Sequence, residues 1–227
     1  MAFTLETIVP WGRSYEEYLA MFSLSAADLV RHILGCGDGP AGFNAGLTRR
    51  GGRVISVDPI YRFSPEEIKT RVDETRERVL NQARDNRDEF TWTFIKNIDE
   101  LGRVRMKAMQ EFLDDYQGGE GRYIAGELPS LAFPDKVFDL ALCSHFLFLY
   151  SGHLSAGFHV DSIVELCRVA REVRVFPLLE LGSKKSRHLG YVTSHLGAAG
   201  YHCEVVKVDY EFQKGGNEML KISAPNG

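Results

Sequence analysis

Apolar residues recur along this chain in two alternating patterns, short β-branched runs and longer stretches with helical spacing, which together predict a parallel sheet covered by helices. A helix precedes the first strand: Ser14 and Glu17 form a capping box, and Tyr18, Leu19, Met21 and Phe22 follow it. Residues 29–34 read as the first strand, and residues 43–50 as a helix ended by Gly51-Gly52. Residues 53–57 read as a second strand closed by Asp58-Pro59, because proline donates nothing to a ladder and drives its predecessor away from α geometry.

Ser64-Pro65-Glu66-Glu67 is the strongest helix start in the chain, with a cap, a first-turn proline and a glutamate at the third helical position. Ile68, Val72, Val79 and Leu80 share one helical face, as do Leu101, Val104, Ala108 and Phe112, while Phe90, Trp92, Phe94 and Ile95 cluster between them. A simple crossover needs one helix of about a dozen residues. Residues 64–118 therefore read as a helical insertion or lid within a single domain spanning 1–227, a helical hairpin packed on the sheet being the plainer form of the same pattern. Residues 122–125, 138–144 and 172–176 resume as strands, with helices over 160–170 and 186–199. Residues 202–210 and 218–222 flank Gln213-Lys214-Gly215-Gly216-Asn217 and read as an edge hairpin. The fold class is α/β: a doubly wound, mostly parallel seven-stranded sheet with a C-terminal antiparallel hairpin and a helical insertion after the second strand.

Composition narrows the partners. The 227 residues, 44% of them hydrophobic, suffice for one core, and the formal charge of -4 supplies no basic field for nucleic acid, which makes that partner unlikely. No run reaches the roughly 18 apolar residues that cross a bilayer, and the start lacks a basic segment followed by an apolar core. The expectation is a cytoplasmic protein without a membrane partner. Cys36, Cys143, Cys167 and Cys203 lie far apart and read as free thiols in a reducing compartment. His145, His153 and His159 match no compact metal-ligand spacing.

The run Gly35-Cys36-Gly37-Asp38-Gly39-Pro40-Ala41-Gly42 follows a strand and opens a helix, where glycines let the backbone approach a ligand and helix N-terminal amides favour a polar group. A tight turn would require glycines too. Asp58, at the carboxyl end of the second strand, is an acceptor able to take both hydroxyls of a ribose, or to cap the turn.

Four pieces in this order, residues 33–39, residues 54–58, Gly126-Glu127-Leu128 leading into Phe133-Pro134-Asp135, and residues 138–145, resemble the class I, Rossmann-like S-adenosylmethionine-dependent methyltransferases. The resemblance implies S-adenosylmethionine as cofactor. It implies Gly35, Gly37 and Gly39 beside the methionine part, Asp58 on the ribose, and Glu127 with the Leu128 backbone at the adenine. It also implies an antiparallel strand ending the sheet. Two positions depart from the pattern: Ile33 stands where members often carry an acid, so support for the cofactor's amino group must come from elsewhere or be absent, and Glu127 replaces the more usual aspartate.

Methyl transfer from a sulfonium is an in-line displacement that needs alignment and exclusion of water rather than a triad or a metal. A base matters only where the acceptor must lose a proton. His145, following the fourth strand, is the catalytic candidate, with packing or capping as its alternative, and Tyr150, His153 and Glu180 lie on later loops of the same side. Tyr61, Arg62 and Phe63 border the site, whereas Trp11, Tyr15, Tyr18 and Phe22 read as core before they read as a cover. Two other functions stay open. Gly37 to Gly42 also satisfies G-x-G-x-x-G with Asp58 about 20 residues on, as a nicotinamide-dependent oxidoreductase requires, and the missing acid at Ile33 suits a regulator that binds cofactor without turnover. The expected partner is a small-molecule methyl acceptor, since no basic stripe interleaved with aromatics occurs.

Overall fold

The computed structural model describes residues 10–224, so residues 1–9, part of the start that carries no secretion signal in the sequence reading, lie outside it. In chain order the elements are α1 (Tyr15–Met21), α2 (Ala26–Leu29), β1 (His32–Cys36), α3 (Phe43–Thr48) and β2 (Arg53–Val57). Then come α4 (Pro65–Asp85), α5 (Ile98–Tyr116), β3 (Tyr123–Ile124), β4 (Phe138–Ser144), α6 (Ala156–Val169) and β5 (Ala170–Phe176). The last are β6 (Leu179–Glu180), β7 (Lys184–Lys185), α7 (Leu189–Ala198), β8 (His202–Lys207) and β9 (Glu218–Ser223).

Seven strands form one sheet in the order β3-β2-β1-β4-β5-β9-β8, parallel except for β9, which runs antiparallel to both β5 and β8. This is the expected doubly wound fold with its C-terminal hairpin. Alternation along the strands explains why both faces are covered. Leu34, Ala141, Cys143, Val173 and Ile222 join α6 and α7 in one core, while Ile33, Leu140, Leu142 and Met219 join Tyr18, Phe22 and Phe43 in the other. The chain winds outward from β1 through β2 to β3, then crosses back to β4, so the strand order reverses between β1 and β4. Ligands of open α/β sheets bind at the carboxyl ends beside such a reversal.

The structure corrects one element. Leu29 ends a short helix instead of opening the first strand, because Ser25 and Asp28 form a second capping box, and the strand runs from His32 through Gly35 to Cys36. The two insertion helices pack on the sheet's α1 and α3 side: Gly42 lies against Ala108, and Phe90 stacks on Phe212 at 4.8 Å between ring centroids. Gly42 carries no Cβ, which would fall 3.1 Å from the Ala108 carbonyl oxygen.

The N-terminal helices are tied to the sheet by charge. The Arg174 guanidinium on β5 donates to Asp28 at 3.0 Å, to Glu172 at 2.7 Å and to the Phe22 carbonyl at 2.8 Å, with Arg174 and Asp28 both buried. Removing one member of a buried pair leaves the other charge poorly compensated. R174M is therefore expected to cost about 3 kcal/mol, read as a lowered urea midpoint at unchanged slope.

Candidate functional site

A cleft of about 800 Å³ lies at the carboxyl ends of β1, β2 and β4. Gly37, Gly39, Asp58, Glu127, Leu128 and His145 all line it, so the structure brings together every expected site residue except Gly35. Gly37 and Gly39 have φ of 69° and 55°, a region in which L side chains are strained, and a Cβ on Gly37 would also press on Phe146 at 3.1 Å.

Gly35 sits inside β1, paired with Ser56 and Leu142 on either side. A Cβ there would fall 1.8 Å from Oδ2 of Asp38. Gly35 therefore serves the site indirectly, by making room for the Asp38 carboxyl group. Asp38 itself lines the cleft, although in the sequence it reads as one more loop residue. It is buried, accepting hydrogen bonds from the Tyr18 hydroxyl at 2.8 Å and the Ser56 hydroxyl at 2.7 Å. Burial pushes its pKa up to about 7, with the neighbouring Asp58 charge adding to the rise and the two hydroxyls opposing it.

Asp58 also binds backbone. Its Oδ2 accepts from the Gly39 amide at 2.8 Å and its Oδ1 from the Ile60 amide at 2.9 Å, capping the turn Pro59–Arg62 and fastening the glycine loop to the end of β2. A carboxylate offers about four acceptor positions, so two remain for a ligand. Burial raises its pKa against those two bonds. Glu127, after β3, is exposed at the cleft edge, and Leu128 beside it is buried. Tyr61 is buried and donates to the Gly39 carbonyl at 2.7 Å, whereas Arg62 and Phe63 face the cleft.

His145 forms the floor. Its φ is 51°, its amide donates to the Phe176 carbonyl at 2.7 Å, and its Nδ1 lies 3.0 Å from the Ser144 hydroxyl. Its pKa is held well below that of a free imidazole by burial first, and then by the positive charges of Arg13 and Arg105, so the ring is neutral at physiological pH. Tyr150 lines the cleft beside it, while Glu180 is engaged with Arg187 at 2.9 Å. Of the four early aromatics, Tyr15, Tyr18 and Phe22 are core, with Tyr18 stacked on Phe43 at 4.5 Å, but Trp11 lines the cleft.

A second, smaller chamber of about 90 Å³ adjoins the cleft, sharing Trp11, Arg13, His145 and Tyr150 with it. Arg105 of α5 lines this chamber, is fully buried, and is ion-paired with the equally buried Glu17. The sequence reading misses Arg105, although its place between Leu101 and Met109 on the buried stripe of α5 is a signal in itself: a charge there must be paired.

No protein-family model matches the chain. It is 34% identical over 219 residues to the uncharacterized protein MJ0045 of Methanocaldococcus jannaschii, an alignment that covers 96% of this chain and 97% of that one. Among solved structures, it is similar to a TehB-like SAM-dependent methyltransferase from Corynebacterium glutamicum, with a TM-score of 0.49, 14% identity, and 94% and 88% of the two chains covered. It is also similar to magnesium protoporphyrin IX methyltransferase from Synechocystis PCC 6803 with bound SAM, with a TM-score of 0.48, 12% identity, and 92% and 77% covered.

Two outcomes follow from the Asp38 environment. G35A forces the carboxyl group away from Tyr18 and Ser56 and is expected to cost about 1–3 kcal/mol, a loss that shrinks in a D38A background when both are measured by urea denaturation. The folded protein retains the Asp38 proton up to about pH 7, whereas the unfolded chain releases it near 3.8. Its contribution to stability is thus full below pH 3.8 and is lost as pH rises through 7. D38N, compared with the unaltered chain from pH 4 to 8, should show a flatter profile over that window.

Proposed function

This chain belongs to the same family as MJ0045 of Methanocaldococcus jannaschii, and we propose that it is an S-adenosylmethionine-dependent methyltransferase acting on a small-molecule acceptor. The observation that supports this reading is the convergence, in one cleft, of the loops after β1, β2, β3 and β4, with a carboxylate on each of the first three and a neutral imidazole on the fourth.

Those residues fit the cofactor. A cleft of about 800 Å³ is of the size that holds such molecules, and its carboxylates suit a ligand that carries positive charge and sugar hydroxyls. Asp58 accepts from ribose hydroxyls through the lone pairs its two amide bonds leave unused. Glu127 and the Leu128 backbone take the adenine edge. Asp38, in its ionised form, supplies the negative charge for the amino group that Ile33 cannot supply; binding a cation there favours loss of the Asp38 proton. Gly37 and Gly39 keep the loop free of side chains at the approach.

Held by these residues, S-adenosylmethionine would supply an activated methyl group for in-line transfer to a lone pair of the acceptor, with the neutral thioether as leaving group. The protein's own contribution is alignment, exclusion of water and removal of the acceptor's proton. His145 is placed to take that proton, because it stands neutral where cleft and chamber meet. Its lowered pKa makes it a weak base, suited to an acceptor that loses its proton as the new bond forms.

Calorimetric titration tests the reading: S-adenosylmethionine and its demethylated product should bind, and NAD should not. Preferential binding of NAD would replace the methyltransferase with an oxidoreductase. D58A should weaken S-adenosylmethionine binding by about 1–3 kcal/mol. H145Q should leave that affinity intact and lower the rate of methyl transfer, and an unchanged rate would remove His145 from the chemistry.

A further inference from the structure

The smaller chamber beside the cleft has apolar and aromatic walls, among them Ala83, Phe90, Leu101, Phe176 and Phe212. Set into these walls are two guanidinium groups. Arg105 has one nitrogen engaged with Glu17, but its Nε and Nη2 are buried with no acceptor, and the Nε of Arg13 is likewise buried and unpartnered. A buried N–H of a charged group without an acceptor is costly, and native proteins retain few of them.

The charges do not cancel either. Glu17 is the carboxylate ion-paired with either arginine among the described residues, and its oxygens already accept from Arg105, from the Tyr210 hydroxyl at 2.7 Å and from the Ser14 amide at 2.9 Å. Arg13 forms no ion pair among those residues, and the charge that weighs most on it is the like charge of Arg105. Among the described residues, two positive groups and one negative group leave the chamber with one excess positive charge, next to a neutral His145.

Resting on the methyltransferase reading above, we propose that this chamber is the acceptor subsite, and that the acceptor is a small aromatic or similarly flat apolar molecule bearing one carboxylate, held by the free N–H groups of Arg105 and Arg13. A guanidinium presents its donors in a planar fork that matches a carboxylate, and a monoanion balances the excess charge where a dianion would overshoot it. The aromatic walls take the apolar body. His145, which lines both cleft and chamber, then receives the proton that the acceptor atom loses on methylation.

The test uses the full chain saturated with S-adenosylhomocysteine and titrated with benzoate, its neutral isostere benzamide, and phenylphosphonate. Benzoate should bind about tenfold or more tightly than benzamide, and R105K, which keeps a charge for Glu17 but loses the fork, should lose that preference at unchanged S-adenosylhomocysteine affinity. Equal binding of acid and amide overturns the proposal, as does benzoate binding unaffected by R105K. Preference for phenylphosphonate overturns the monocarboxylate assignment. Should R105K fail to fold, the comparison of acid with amide on the unaltered chain decides alone. Failure of S-adenosylhomocysteine to bind would strike the cofactor reading instead, and the same acid and amide titration without it still decides the chamber.

Discussion

The ion pair between Glu17 and Arg105 is the contact on which the arrangement of this molecule turns. It joins α1 to α5, and through the Tyr210 hydroxyl it joins both to the segment after β8. Both side chains are fully buried, so each lost its hydration on folding, and a well-packed apolar pair would hold the same helices at least as firmly. What an apolar pair would not supply is a guanidinium fixed in place with donors left over. Glu17 accepts from Arg105, Tyr210 and Ser14, while Arg105 keeps two buried nitrogens without an acceptor.

At the other end of the cleft, a carboxyl group is handled in the opposite way. Asp38 is surrounded by hydroxyl donors instead of a cation, and burial leaves it close to half ionised near neutral pH. Its placement depends on a missing atom, because a side chain on Gly35 would occupy the position of its oxygen. One glycine of the loop therefore shapes the site from within a strand, and two others, at positive φ, keep the backbone turning along the cleft wall.

The helical insertion ties these regions together. Val79 and Ala83 of α4, Leu101 and Arg105 of α5, and Phe90 between the helices all line the chamber, while Arg71 of α4 reaches the cleft. The segment that makes the crossover longer than a parallel sheet requires is thus a segment that lines the smaller cavity. Phe212 and Tyr210, following the hairpin's first strand, line the same chamber, with Phe212 stacked on Phe90.

Element types and their order are written in local patterns of the chain. Capping boxes at Ser14 and Ser64, the proline after Asp58 and the continuous apolar run of β4 are legible because a cap or a short strand involves residues only a few positions apart. The box at Ser25 is equally local, and its Asp28 shifts the start of β1 past Leu29. The glycine loop, Asp58, Glu127 and His145 are legible as a set because each follows a strand at the same edge of the sheet. What their neighbours do is settled by packing. Glu17 reads locally as the third residue of a cap, and nothing within its own helix foretells a partner 88 residues away. Asp38 reads as a loop acid until Tyr18 and Ser56 close around it. Charge and proton affinity depend on burial and on contacts across the fold, which only the packed chain brings within reach.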